Sequence, residues 1–76
     1  MKADKTLDGK GLFCPMPVFE ASKAIKEIEV GQILEILATD PASVPDFKAW
    51  TSRTGHELLE YKQEEKVYKF YIKKMK

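Results

Sequence analysis

The 76-residue sequence predicts an α/β (α+β) two-layer sandwich of order β-α-β-α-β-β, with two helices packed on one face of a four-stranded mixed sheet. Three observations carry this expectation. Two stretches place apolar residues at helical spacing, and a short apolar run lies between them. Two strand-like runs at the C-terminal end then flank a polar turn. Short punctuation joins all of these segments, so residues 1–76 are expected to form a single domain.

Taken in order, Thr6-Leu7-Asp8 is a weakly signalled first strand, followed by a loop marked by Gly9 and Gly11. From Pro15 to about Ile28, Val18, Ala21, Ile25 and Ile28 recur at spacings of three and four, while Glu20, Lys23, Lys26 and Glu27 fill the other face. Pro15 suits the first helical position and Pro17 still lies in the first turn, where a missing N–H costs nothing. After Gly31, Gln32 to Thr39 (QILEILAT) reads as a strand covered on much of both faces. Asp40-Pro41 signals a turn, and Ser43 with Asp46 three residues later resembles a capping box for a second helix. That helix carries Val44, Phe47 and Trp50 or Thr51 inward and stops at Gly55. His56 to Lys62 and Val67 to Lys74 form a hairpin around Gln63-Glu64-Glu65-Lys66, with Tyr68, Phe70 and Ile72 sharing one face. With helices on one side only, Ile33, Leu37, Val67 and Tyr71 leave an apolar element on the open face, unless the stems of Lys69 and Lys73 cover it.

The composition excludes several classes. Thirteen basic against twelve acidic residues leave a formal charge of +1, too little to steer the chain toward nucleic acid or an anionic membrane. With 43% hydrophobic and 33% charged residues, the chain is an ordinary globular sequence. No membrane span or leader is evident, and one cysteine excludes an internal disulfide, so the cytoplasm is the expected address. One Cys and one His cannot make a tetrahedral zinc set, so neither metal nor cofactor is expected. A CxxC pair is absent, as is any Cys-His-Asn order, which leaves single-thiol chemistry.

The lone thiol sits in GLFCPMPVFE, between an apolar pair and two prolines. Placed at the helix N-cap, Cys14 would face free backbone N–H groups, such as those of Met16 and Val18, and the positive end of the macrodipole. That setting favours the thiolate and lowers the thiol pKa, and Pro15 and Pro17 fix the direction of the sulfur. The opposing reading is a small core hydrophobe, the commonest fate of a free cysteine.

These residues resemble the TusA/SirA-like sulfur-transfer family. Its Cys-Pro-x-Pro mark stands here as Cys14-Pro15-Met16-Pro17, preceded by Asp8 and Gly11 in an Asp-x-x-Gly-x-x-Cys-Pro pattern. Gly31, Asp40-Pro41, Asp46 and Gly55-His56 fit the family pattern further along, so the likeness runs from about Thr6 to Lys74. The resemblance implies that Cys14 accepts sulfur as a persulfide from a sulfur-donor protein of the desulfurase or rhodanese type and passes it to an acceptor protein. It implies no membrane, nucleic acid only indirectly, and pathways such as tRNA thiolation, molybdenum-cofactor maturation or sulfur oxidation.

Pro15, Pro17, Asp8, Gly11 and Asp40 are the candidate supporting residues. Asp40 could orient a partner or simply bond its own turn backbone; Asp8 shapes the loop before the cysteine, and Asp46 reads as helix capping. Lys10 and Lys23 could steady an anion but read better as solvated charge, Trp50 as core, and His56 as a strand-start residue. The alternative function is an RNA-binding module on the open sheet face with Lys69, Lys73, Lys74 and Lys76, since the predicted fold also resembles the C-terminal domain of a bacterial translation initiation factor. A regulatory adaptor with an incidental thiol is the third reading.

Overall fold

The computed structural model describes residues 2–76. Strands β1 (Lys5–Gly9), β2 (Ile33–Ala38), β3 (Glu57–Glu64) and β4 (Val67–Lys73) form one sheet, and helices α1 (Met16–Ala24) and α2 (Ser43–Thr54) pack against it. The spatial order is β1-β2-β4-β3. β1 runs parallel to β2, whereas β4 is antiparallel to both β2 and β3, so the sheet is mixed as expected.

The alternation in β2 explains its burial. Leu34, Ile36 and Ala38 point to the helices and are fully buried, while Ile33, Glu35 and Leu37 stand half-buried on the opposite face. Phe70 and Ile72 of β4 join the same inner layer, with Tyr68 packed at its margin. From α1 come Val18, Ala21 and Ala24, continued by Ile25 in a 3₁₀ turn (Ile25–Glu27) and then Ile28. From α2 come Phe47, Trp50 and Thr51. Phe47 is the hub: its ring lies 4.7 Å from that of Phe70 and 6.0 Å, edge-on, from that of Trp50. Gly55 ends α2 at φ 87°, where its N–H donates to the Thr51 carbonyl.

The ends of the elements differ from the sequence expectation in three places. α1 begins at Met16, one residue later than predicted, so Pro15 occupies the N-cap and Pro17 the second helical position. The capping box is not formed. The Ser43 hydroxyl donates to the Asp40 carbonyl instead of accepting from Asp46, and the Asp46 N–H donates to the Ala42 carbonyl. The hairpin turn is tighter than the predicted four residues, because Glu64 pairs with Val67 and leaves only Glu65 and Lys66 between the strands. A bulge between Leu58 and Glu60 shifts the pleat by one residue, which lets Leu58 and Tyr61 face Ile72 and Phe70 on the same side.

The open face is less apolar than its sequence suggests. Thr6, Glu35 and Tyr71 lie side by side across β1, β2 and β4. The Thr6 hydroxyl donates to Glu35 Oε1 at 3.0 Å and the Tyr71 hydroxyl to Glu35 Oε2 at 2.7 Å. Tyr71 is only 5% exposed although no helix covers it. Lys69 does not lie loose over this face but pairs with Glu64 at 3.3 Å.

The phenol–carboxylate bond holds Glu35 below its ordinary 4.5 and pushes Tyr71 up to about 12. The depressed Glu35 value gives stability that is present above the ordinary carboxylate value and lost as pH falls through the folded one. The raised Tyr71 value gives stability present below 10 and lost as pH rises toward about 12. Tyr71→Phe is therefore expected to cost about 1 kcal/mol in urea denaturation at neutral pH, a figure discounted for the half-exposed partner. The gap from the wild type should narrow both in acid below the carboxylate range and in strong alkali.

Candidate active site

The site gathers where β1 and β2 end and the two helices begin. Leaving β1, the chain makes a short loop to α1 whose shape comes from its own hydrogen bonds. The Lys10 N–H donates to Asp8 Oδ1 at 3.1 Å, the Leu12 N–H to the Gly9 carbonyl at 3.1 Å, and the Gly11 N–H to Thr39 Oγ1 at 3.0 Å. Gly11 sits at φ 86°, a conformation that a side chain would oppose. Asp8 and Gly11 thus shape the loop that leads to Cys14.

Asp40 ties this loop to the rest of the fold. Its Oδ2 accepts the Cys14 N–H at 2.8 Å and its Oδ1 accepts the Ala42 N–H at 3.0 Å. Its carbonyl takes both the N–H and the hydroxyl of Ser43. The turn role expected of Asp40 is seen at Oδ1, and the structure adds a bond the sequence did not suggest, from the Cys14 N–H to Oδ2. The two backbone donors keep the Asp40 carboxyl below its ordinary value, with Cys14 the larger cause.

Cys14 itself is exposed, so the core reading of this thiol does not hold. It lies in the turn before α1, ahead of the N-cap, and its peptide bond to Pro15 is cis. Met16 N–H, one of the donors expected to face the sulfur, is taken by the Phe13 carbonyl at 2.8 Å. The expected lowering of the thiol pKa is reversed. Cys14 is raised above its ordinary value, first by the neighbouring Asp46 carboxyl, which favours the protonated thiol, then by desolvation, and then by the negative charges of Asp46 and Asp40. Two nearby carboxylates outweigh the partial charge of a helix end that begins two residues downstream.

Asp46 was expected to cap α2 and does not. It stands in the first turn of α2, and its Oδ2 is buried without a partner under ordinary hydrogen-bond geometry. Together with Pro15, Val18, Phe19, Ala49 and Arg53 it lines a groove between the two helices. Its part in the thiol's surroundings escaped the sequence reading because the three-residue spacing from Ser43 fitted a local cap equally well.

Exposed apolar side chains flank the thiol along the chain. Phe13 is 76% exposed, Phe19 53% and Met16 42%, all within five residues of Cys14. The sequence places Phe13 in a loop and gives the side chains of Met16 and Phe19 no role. The signal was present, since large apolar residues flank the cysteine while the helical stripe buries Val18 and Ala21.

The remaining candidates lie elsewhere. Lys23 pairs with Glu20 at 3.5 Å on the exposed side of α1. Trp50 is core, and His56 stands beyond the far end of α2, roughly 18 Å along a helix of this length from Cys14's end. Its Nδ1 accepts the Met75 N–H, and burial together with Lys74 and Lys76 pushes its pKa down. Among the described residues no group of three or more His, Cys, Asp or Glu is placed to hold a metal ion. Nor is any helix among them long and apolar enough to cross a membrane.

Comparison with known proteins agrees with this architecture. A family model described as Sulfurtransferase TusA matches residues 5–74. The sulfur carrier protein TusA of Allochromatium vinosum is 46% identical over 71 residues, covering 93% of each chain. YrkI of Bacillus subtilis, named as a candidate sulfur carrier, is 51% identical over 74 residues, covering 97% of this chain and 99% of its own. The crystal structure of a SirA-like protein from Desulfitobacterium hafniense superposes with a TM-score of 0.81 at 27% identity, over 95% of this chain and 99% of that one. With the family pattern running nearly end to end and the same fold beneath it, the chain belongs to the TusA family of sulfur carriers.

Proposed function

We propose that this protein carries sulfane sulfur as a persulfide on Cys14, taking it from a desulfurase- or rhodanese-type donor and delivering it to an acceptor protein, with residues 1–76 acting as one unit. The observation that carries this reading is an exposed thiol whose backbone N–H is held by the Asp40 carboxylate and which exposed apolar side chains flank in the chain. A clamped backbone presents the sulfur in one direction, and an exposed rim of aromatic and thioether side chains suits a transient protein contact.

Loading is a sulfur exchange. Cys14 Sγ bonds to the terminal sulfur of the donor's persulfide as the donor's S–S bond breaks, and the donor leaves as a thiol carrying the proton that Cys14 gave up. Unloading repeats the exchange with an acceptor thiol as nucleophile. The summed oxidation state of the sulfurs does not change, so no oxidant or cofactor is required. A reducing compartment such as the cytoplasm keeps the unloaded thiol free. Routes such as tRNA thiolation would reach nucleic acid only through the acceptor.

The RNA-binding alternative draws little from the lysines it needs. Lys69 is paired with Glu64, and Lys74 Nζ turns away to donate to the Ile28 carbonyl at 2.7 Å.

Three outcomes test this reading. Incubated with a cysteine desulfurase and cysteine, the wild-type protein should gain the mass of one sulfur atom, reversible by a thiol reductant, and Cys14→Ser should gain none; equal gain on both proteins would refute it. Phe19→Asp should slow loading at least tenfold while leaving the melting temperature and the alkylation of Cys14 by a small reagent unchanged, since it alters the rim and not the sulfur. Asp40→Ala removes the side-chain acceptors of two backbone N–H groups and is expected to lower the melting temperature. Because the Cys14 loop loses its clamp, amide hydrogen exchange there should quicken more than in β2.

A further inference from the structure

A groove at the end of the molecule away from the thiol takes no part in carrying sulfur. It lies where α2 ends, between the last turns of α1 and the chain that follows β4, and offers a volume of about 350 Å³. Trp50, Ile25 and His56 make its floor, with the His56 ring 5.8 Å from that of Trp50. Lys26, Lys74 and Lys76 stand around it, and no acidic side chain lines it.

Contacts within the fold set the lysines there. His56 Nδ1 accepts the Met75 N–H, which pins the end of the chain beside α2. Lys74 Nζ donates to the Ile28 carbonyl at 2.7 Å. Lys76 lies back across Gly55, where a Cβ would come within 3.0 Å of its Cε and 3.1 Å of its Nζ. Lys26 and Lys76 have no carboxylate partner among the described residues, whose ion pairs use Lys5, Lys23 and Lys69.

The nitrogens that the fold leaves unused on this groove are donors. Burial first, then Lys74 and Lys76, hold the His56 pKa below its ordinary value, so the ring is neutral at pH 7. With Nδ1 accepting, its proton sits on Nε2. The Trp50 indole N–H donates to no protein acceptor among the described residues, and its nitrogen is not sealed from solvent. Both helices end nearby, but each contributes only about half a negative charge against three ammonium groups.

We propose that this groove binds a small organic anion, which lays a planar apolar body over Trp50 and Ile25 and turns a carboxylate or phosphate toward Lys26 and Lys76. The volume suits that class, since small-molecule sites begin at about 300 Å³. Covering the floor removes apolar surface from water, and the head group gains charge-assisted hydrogen bonds. A neutral apolar ligand leaves the lysines unused, and a bare inorganic anion leaves the floor wet. The site is separate from the sulfur chemistry, because neither Cys14 nor Asp40 lines it.

The test titrates the intact protein with 2-naphthoate and follows its amide and indole N–H signals by NMR. Trp50 is the only tryptophan, so its indole gives a single signal. That signal and the amides of Gly55, His56 and Lys74 should shift to saturation, and the neutral analogue 2-naphthalenemethanol should bind roughly tenfold more weakly. Raising the salt concentration should weaken only the anion. Lys26→Gln combined with Lys76→Gln should weaken 2-naphthoate roughly tenfold while leaving the neutral analogue and the melting temperature unchanged, since neither lysine bonds to the fold. The absence of a saturable shift at millimolar probe overturns the proposal, as does equal binding of the neutral analogue to the wild type. Shifts centred on Phe13, Met16 and Phe19 overturn it too, because the probe then prefers the exposed side chains beside Cys14.

Discussion

Asp40 joins the parts of this molecule that must stay in register for the cysteine to be usable. It follows the central strand β2, and from there one carboxylate oxygen accepts the Cys14 N–H while the other accepts the Ala42 N–H at the start of α2. The strand cannot move relative to either helix without breaking one of these bonds. The clamp is formed because β2 is fully buried on its inner face, with Leu34, Ile36 and Ala38 against the helices. A buried strand has one register, since a slip of one residue would turn Glu35 and Leu37 into the core. The precision of an exposed site is thus inherited from the part of the protein farthest from water.

The electrostatics of the thiol follow from a contest between a helix end and two carboxylates. A helix N-terminus offers partial positive charge within about one turn. Cys14 lies ahead of that turn, and its nearest donor is used by Phe13, whereas Asp46 and Asp40 are full charges close by. The thiol pKa is therefore raised and not lowered in the free protein. For a carrier this is a favourable resting state, because a thiolate exposed among Phe13, Met16 and Phe19 would react with whatever met it first.

Much of the architecture is legible from the order of residues. The helical spacing of Val18, Ala21, Ile25 and Ile28 predicts a buried face that the structure confirms, and the run QILEILAT a strand, of which only the Leu34, Ile36 and Ala38 face is fully buried rather than much of both faces. Gly55 ends α2 as its position suggests. Hydrophobic periodicity is a property of neighbours along the chain, so it survives without knowledge of the fold. The bulge at Leu58 and Glu60 was not legible, because a single extra residue in a strand leaves the composition unchanged.

The sequence by itself determined the layers, the place of the single thiol at the start of α1, and the prolines that follow it. All of these depend on residues close together in the chain. Only the tertiary structure decided the state of the sulfur. Asp40 and Asp46 lie 26 and 32 positions from Cys14, and each had a sufficient local explanation as a turn or cap residue. Folding brought their carboxylates to the thiol and reversed the sign of its expected shift. Charge acts through space at full strength over a few ångströms whatever the distance along the chain, and that distance is what a linear reading cannot measure.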